Sequence, residues 1–406
     1  MNSEDFETGR TAVRERIKTP DFSTVISAGD RRRHRDRAAM VAGVVVVVAV
    51  TAVVAAPLFA PREVGPARGD DLLGANKLCA ERPVSSQVSY LALRTGSCAR
   101  GPLVLARTSD GGRTWHAHSV PDATASGAVN QGSPILPLDE NTLVANGFIS
   151  HDGGETWQPQ KLDGSVQAAP VGWIVLPADS FSHQIKPKDP HALAALDPTT
   201  GQAHFLANQP ADHGDGESEG VTQATDGSLW TVPGYQGTGV AVSHDRGRTW
   251  STFAPPDRKG SSWVSSTSVD GRIGYAIFGT DSAAGKPAAI YRTDDGGINW
   301  RSWTTAAPSL VSFHLLANGD LMGVDRTYEI GGPLVVSKDQ GHTFVARSPA
   351  TEVFSLIEKR VTGVYFAEGF RGRPPNNWTE IYDPVSSDGE TYQSMTYPSG
   401  VSWDLN

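Results

Sequence analysis

Five aspartates, Asp110, Asp152, Asp245, Asp295 and Asp339, share one setting. Each stands two residues after a Ser or Thr, two before a glycine and five before a ring: Trp115, Trp157, Trp250, Trp300 and Phe344. A carboxylate among hydroxyls could pass a proton, hold a hard cation or cap a turn. Recurrence decides between these, because a catalyst needs such a group once and a fold determinant needs it in every repeat. The turn chemistry is complete without a ligand. Asp and Ser/Thr accept the N–H groups that a tight turn leaves exposed, glycine supplies positive φ, and the ring buries itself against neighbouring strands.

Two further groups could bind rather than build. Arg371, Arg373 and Trp378, in the stretch 370–378, combine guanidinium groups with an aromatic ring, a pairing suited to carboxylates or sugar rings. Asp212, Asp215 and Glu217, in the run 212–219, gather carboxylates that could hold calcium, although the spacing is not that of an EF-hand and also suits a flexible acidic loop. The segment 182–191, with Lys186 and Lys188, reads as a span across an irregular unit. The sequence has no nucleophile elbow, phosphate-binding glycine loop or zinc-type His/Glu helix motif, which weakens most enzyme classes. No cofactor is expected apart from calcium.

The spacing of the octets sets the architecture. Their aspartates are 42, 93, 50 and 44 residues apart, and the gap of 93 is two units. Midway through it, Asp197 to Gly201 with Phe205 following reads as a decayed copy, and Asp388, Gly389 and Tyr392 form a last one, shortened by one residue. The octets resemble the Asp box, or bacterial neuraminidase repeat. Seven units of this length imply an all-β, seven-bladed β-propeller of four-stranded blades. Alternation places the strands of the fifth unit at 263–269, 273–278, 288–293 and 300–304, and those of the sixth at 310–316, 321–324, 333–337 and 344–347. All the boxes then fall on one face, at third-to-fourth strand turns. The other loops rise on the opposite face, where propellers bind their ligands. In this register Cys79 and Cys98 share that opposite end, which permits a disulfide and leaves two unpaired thiols as the alternative.

Asp-box families include sialidases, xyloglucan-type endoglucanases, sortilin-like receptors and photosystem II assembly factors, so the repeat alone names no reaction. A sialidase resemblance implies an arginine triad, an aspartate acid/base and a Tyr/Glu nucleophile pair. Only Glu81-Arg82-Pro83-Val84 is similar to the first arginine motif, and no Asp or Glu lies between Arg82 and Ser109 to serve as the proton donor. Arg360 and Tyr365 are the residues left to cast as triad and nucleophile members. The scaffold carries over, then, and the catalytic residues remain unknown. A binding or scaffolding module for a protein or glycan is the leading expectation, with a divergent sialidase-like glycoside hydrolase as the alternative.

The chain around this body points to a membrane. Residues 38–60 carry no charge, and a 23-residue helix spans about 35 Å. The basic cluster 31–37 precedes it and predicts a cytoplasmic N-terminus. Ala56 and Ala60 are each followed by proline, which makes a poor cleavage site for a signal peptide. The expected organisation is a cytoplasmic tail at 1–37, one transmembrane helix at 38–60, a linker at 61–76 and an extracytoplasmic propeller at 77–406. Beyond residue 37 the chain holds 26 basic and 37 acidic side chains, a net −11 that excludes nucleic acid as a partner.

Overall fold

A computed structural model describes residues 76–406, apart from 96–97, 99–101, 122–134, 179–191, 212–220, 233–238, 256–262, 280–288, 306–308, 327–330, 350–351, 360–361, 374–376, 383–384, 387, 390–391, 394–396, 399–400 and 404–406. The chain divides into two units, 1–63 and 64–406, and every described residue belongs to the second. No helix among the described residues is long and apolar enough to cross a membrane. The tail at 1–37, the apolar span at 38–60 and the acidic candidates Asp212, Asp215 and Glu217 lie outside them.

The described residues form seven sheets, each made almost wholly from one stretch of chain. The first holds β1 (Asn76–Pro83), β2 (Ser89–Thr95), β3 (Leu103–Thr108) and β4 (His116–Ser119). The second holds β5 (Ile135–Pro137), β6 (Leu143–Ala145), β7 (Phe148–Ser150) and β8 (Gln158–Pro159). The third is built from β9 (Lys161–Val166), β10 (Ile174–Pro177), β11 (Leu193–Leu196) and β12 (Gln202–Leu206), the fourth from β13 (Val221–Gln223), β14 (Leu229–Thr231), β15 (Val240–Ser243) and β16 (Ser251–Phe253). In the fifth are β17 (Trp263–Ser268), β18 (Gly274–Gly279), β19 (Ala289–Thr293) and β20 (Arg301–Thr304). The sixth comprises β21 (Leu310–Leu315), β22 (Leu321–Asp325), β23 (Leu334–Ser337) and β24 (Val345–Ala346). The seventh comprises β25 (Glu352–Lys359), β26 (Tyr365–Arg373), β27 (Asn377–Tyr382) and β28 (Val385–Ser386), and a last strand, β29 (Ser402–Trp403), joins the first sheet.

Burial explains the sequence pattern. Middle strands are covered on both faces by the neighbouring sheets and read as unbroken apolar runs: Val240-Ala241-Val242 in β15 and Leu334-Val335-Val336 in β23 are buried throughout. Outer strands such as β16 and β20 are mostly exposed and polar. Between successive sheets lie separate apolar clusters, and a box ring joins most of them: Trp157 between the first and second sheets, Trp250 between third and fourth, Trp300 between fourth and fifth, Phe344 between fifth and sixth, and Tyr392 between sixth and seventh. Trp115 packs with Leu78 and Leu91 of the first sheet and with Tyr397 and Val401 near the end of the chain. Two-residue β29 pairs in parallel with β1, Lys77 opposite Ser402 and Leu78 opposite Trp403. Ser402 and Trp403 thus extend the first sheet.

Two sheets depart from the simple repeat. In the third, β9 runs parallel to β12 on its outer side, so the order is β10-β11-β12-β9. The turn at Asp197 to Gly201 therefore joins the second and third strands of that sheet, not the third and fourth as the decayed copy predicts. The physical reason is the extra strand β9, which the chain lays down before β10 and which takes the outer position. In the seventh sheet both β27 and β28 pair with β26, the former along 369–373 and the latter at Tyr365 and Phe366.

Candidate functional site

The boxes show how a repeated carboxylate is used. Thr108 donates its hydroxyl to Asp110 Oδ1 at 2.9 Å and accepts the Gly112 N–H at 2.9 Å, while Asp110 also takes the Thr114 N–H at 2.9 Å and the Thr114 hydroxyl at 2.7 Å. The same four bonds recur around Asp152, Asp245 and Asp339. In the variant at Asp295 the Asn299 side-chain amide replaces the threonine hydroxyl, at 2.7 Å. The box turn also leans on the first hairpin turn of its own sheet: Gly111 donates to Gln87 O, Gly153 to Asn141 O and Gly296 to Arg272 O, at 2.8–2.9 Å. Box and first hairpin thus share one end of these sheets.

Such donors favour the charged carboxylate. The backbone N–H of Thr114, and then its hydroxyl, hold Asp110 at about 2, and Asn299 does the same for Asp295. At Asp339 burial works upward, but the Thr343 hydroxyl and N–H outweigh it and leave the group at about 2. A carboxylate so committed is a weak base and has no proton to give near neutral pH. The box aspartates are turn caps. At Asp197 the pattern is compressed: the Thr199 N–H and Thr200 hydroxyl reach it at 2.9 and 2.8 Å.

The glycine of the box is fixed by its neighbour as much as by its own backbone. Gly247 has φ +88°, and a Cβ there would come within 2.5 Å of Leu206 Cδ1. The turn is pressed onto the preceding sheet.

Cys79 and Cys98 form a disulfide, with Cα atoms 5.3 Å apart. Cys79 is the unpaired residue of a β-bulge, since the β1–β2 register steps from Leu78↔Leu93 to Ala80↔Ala92. A bulge redirects the side chain it carries, and here it turns Cys79 toward the far end of β2.

The residues proposed for sialidase-like chemistry are otherwise engaged. Glu81 lies buried in β1, where Ser89 donates to it at 3.4 Å and the Tyr397 hydroxyl makes a short bond to its other oxygen. Arg82 donates to the Glu81 carbonyl at 2.7 Å. Tyr365 is buried in the cluster between the sixth and seventh sheets and donates to Leu315 O at 3.3 Å, so it is a core residue and not a nucleophile on display. Arg360 lies outside the described residues. Among the described carboxyl groups, Asp325 at the end of β22 is raised, by burial opposed by the Ser309 N–H.

Arg371, Arg373 and Trp378 sit on paired strands rather than in a loop. Arg371 is opposite both Glu352 and Glu380, Gly372 opposite Trp378, and Arg373 opposite Asn377. Glycine and proline make this stretch read as a turn, but ladder pairing extends β26 as far as Arg371 on one side and Arg373 on the other. No group of three or more His, Cys, Asp or Glu that could hold a metal occurs among the described residues. The stretches 122–134, 179–191 and 280–288 lie outside them.

Sequence reasoning misses two local environments. His314, in β21, is only partly exposed and donates from Nε2 to Ile357 O, 3.0 Å away. Burial lowers it to about 4. Beside Tyr392 is a cavity of about 200 Å³ whose lining includes Met322, Val336, Phe354, Arg347 and Glu352. These residues come from separate strands and share no motif.

The BNR/Asp-box repeat family matches residues 148–159, the box at Asp152. No curated protein matches the chain. Among solved structures, "YCF48 bound to D1 peptide" is similar at 13% identity and TM-score 0.47, over 74% of this chain and 92% of that one. A puromycin-hydrolyzing peptidase of Mycobacterium tuberculosis is similar at 15% identity and TM-score 0.46, over 81% of this chain and 55% of that one. A mutant sialidase of Trypanosoma rangeli is similar at 12% identity and TM-score 0.33, over 78% and 54%.

Proposed function

We propose that this Asp-box β-propeller is a binding or scaffolding module, seven-bladed, held outside a membrane by the apolar span 38–60 and presenting its loop face to a protein or glycan. The observation that carries the reading is the commitment of the carboxylates and tyrosine that a sialidase-like mechanism would use. The box aspartates cap turns, Glu81 is buried under Tyr397 and Ser89, and Tyr365 is a core residue. Seven sheets with Tyr397 and β29 returning to the first support a closed ring. The Cys79–Cys98 disulfide supports an oxidising compartment, as the orientation set by the basic cluster 31–37 requires. Arg371, Arg373 and Trp378, at the tip of the β26–β27 hairpin, are the residues proposed for ligand contact.

The test has two arms. The full chain in its membrane, with a photo-crosslinking residue at Arg373, is expected to capture a discrete protein or glycoconjugate, and capture is expected to fall when Trp378 is changed to Ala. The purified chain is also given a panel of fluorogenic glycosides that includes a sialoside. Turnover above a heat-treated control would replace the binding module with a glycoside hydrolase.

A further inference from the structure

Between the sixth and seventh sheets lies a cavity of about 200 Å³ whose inner wall is apolar and buried: Met322 and Phe354 are 1% exposed and Val336 8%. Tyr392 closes one side, its hydroxyl 2.9 Å from Met322 Sδ. Two charged side chains, Arg347 and Glu352, complete the lining, and they differ in what they are free to do. Glu352 is half-buried and already has a partner. Arg347 is exposed and spends its backbone N–H on Leu334 O, but among the described residues its side chain makes no hydrogen bond or ion pair. The charge available to a ligand is therefore a guanidinium beside an apolar hole.

Volume sets the apolar part of what fits. A dry cavity of about 150 Å³ accepts a benzene ring, so this one has room for one ring or one branched aliphatic chain. Drug-sized ligands need roughly 300 Å³ or more. Charge sets the polar part. A guanidinium is weakly hydrated and presents a planar fork that a carboxylate meets with two hydrogen bonds. The Glu352 carboxylate in the same lining opposes a second negative charge, which restricts the ligand to one carboxylate.

We propose that the cavity lined by Met322, Val336, Phe354 and Tyr392 binds a free apolar monocarboxylic acid, its ring or branched chain against the buried walls and its carboxylate on Arg347. Neither the loop-face ligand above nor a bond from Glu352 is needed for this.

Calorimetric titration of the purified full chain with phenylacetate and 4-methylpentanoate tests it. Acetate, phenylacetamide, phenethylamine and N-acetyl-L-phenylalanine are the controls, which change in turn the apolar group, the charge, its sign and the free-acid form. Saturable binding with a Kd at or below about 1 mM is expected for at least one of the two acids, with about tenfold weaker binding, or less, for every control. Arg347→Gln, at an exposed position, is expected to weaken the acid at least about tenfold and to leave it no better than the amide. Val336→Phe fills the cavity and should abolish binding. A thermal melt shows whether that variant is folded, and if it is not, Arg347→Gln decides alone. The proposal is overturned if neither acid reaches that affinity, if the loss in Arg347→Gln falls short of about tenfold, or if a folded Val336→Phe still binds. Phenethylamine binding as tightly as the acids also overturns it, by making Glu352 the anchor, and so does a preference for N-acetyl-L-phenylalanine, which would identify a peptide terminus.

Discussion

Replacing both Cys79 and Cys98 by serine removes a crosslink that spans 19 residues of sequence. In the chain-entropy account, a loop of that length withdraws about 11 cal/mol/K from the unfolded ensemble, or about 3 kcal/mol at 25 °C. The native geometry adds a local contribution, because the bulge at Cys79 places an unpaired residue in β1, and without its tether the strand gains freedom to slip into regular register. At about 2.1 cal/mol/K per residue a body running from 77 to 406 gains roughly 0.7 kcal/mol/K on unfolding, so each kcal/mol moves the melting temperature by about 1.5 °C and the loss should be about 4–5 °C. The assay is differential scanning fluorimetry of wild type and the double serine variant, each with and without a phosphine reductant. Reduced wild type is expected to melt with the variant, and the variant should ignore the reductant. Coincident melting of the oxidised wild type and the variant would refute the reasoning, since the crosslink would then constrain nothing that unfolding releases.

Four further outcomes follow from the turns, the glycines and the buried polar groups. Ser337→Ala strips the hydroxyl that accepts the buried Gly341 N–H and donates to Asp339, and should cost about 1–3 kcal/mol in urea denaturation. Gly247→Ala combines a left-handed backbone with a clash against Leu206 and should cost about 2–4 kcal/mol, whereas Gly319→Ala, at φ +90° with open space around it, should cost only about 1–2 kcal/mol in the same assay. Stability should fall with pH in two windows. His314 is held neutral by burial, so the unfolded chain takes up a proton near 6.5 while the folded chain waits until about 4, and stability is lost across that interval; His314→Gln should flatten it. The depressed Asp110, Asp295 and Asp339 contribute stability that is complete above about 4 and lost as pH falls toward about 2, which acid titration followed by tryptophan fluorescence would resolve. Tyr397→Phe withdraws a hydroxyl from buried Glu81 and should cost about 1.5–3 kcal/mol by chemical denaturation, with no change expected from Tyr→Phe at an exposed site.

The repeats were legible in the sequence because their chemistry is local. Asp, Gly and the ring meet within eight residues, and alternation between such turns fixes strands to within a residue or two, as in β17 to β24. What escaped depends on partners far along the chain. Nothing in Lys161 to Val166 says that it will pair in parallel outside β12, since alternation records which side is buried and not which strand lies beside it. Gly369 and Gly372 make β26 resemble a turn until its neighbours on both sides are known. The cavity beside Tyr392 is harder still, because its lining comes together only when two sheets pack.

The bond from Tyr397 to Glu81 joins residues 316 apart, and β29 reaches back equally far to the opening strand. A polypeptide emerging from N- to C-terminus must keep the edge of β1 and a carboxylate meant for burial waiting until the final stretch arrives. Every earlier sheet can pair its own strands on emergence, but the seam cannot be sewn early. Contacts at such sequence distance are slow to form, so closure of this seam should be late and the period of greatest exposure to proteases.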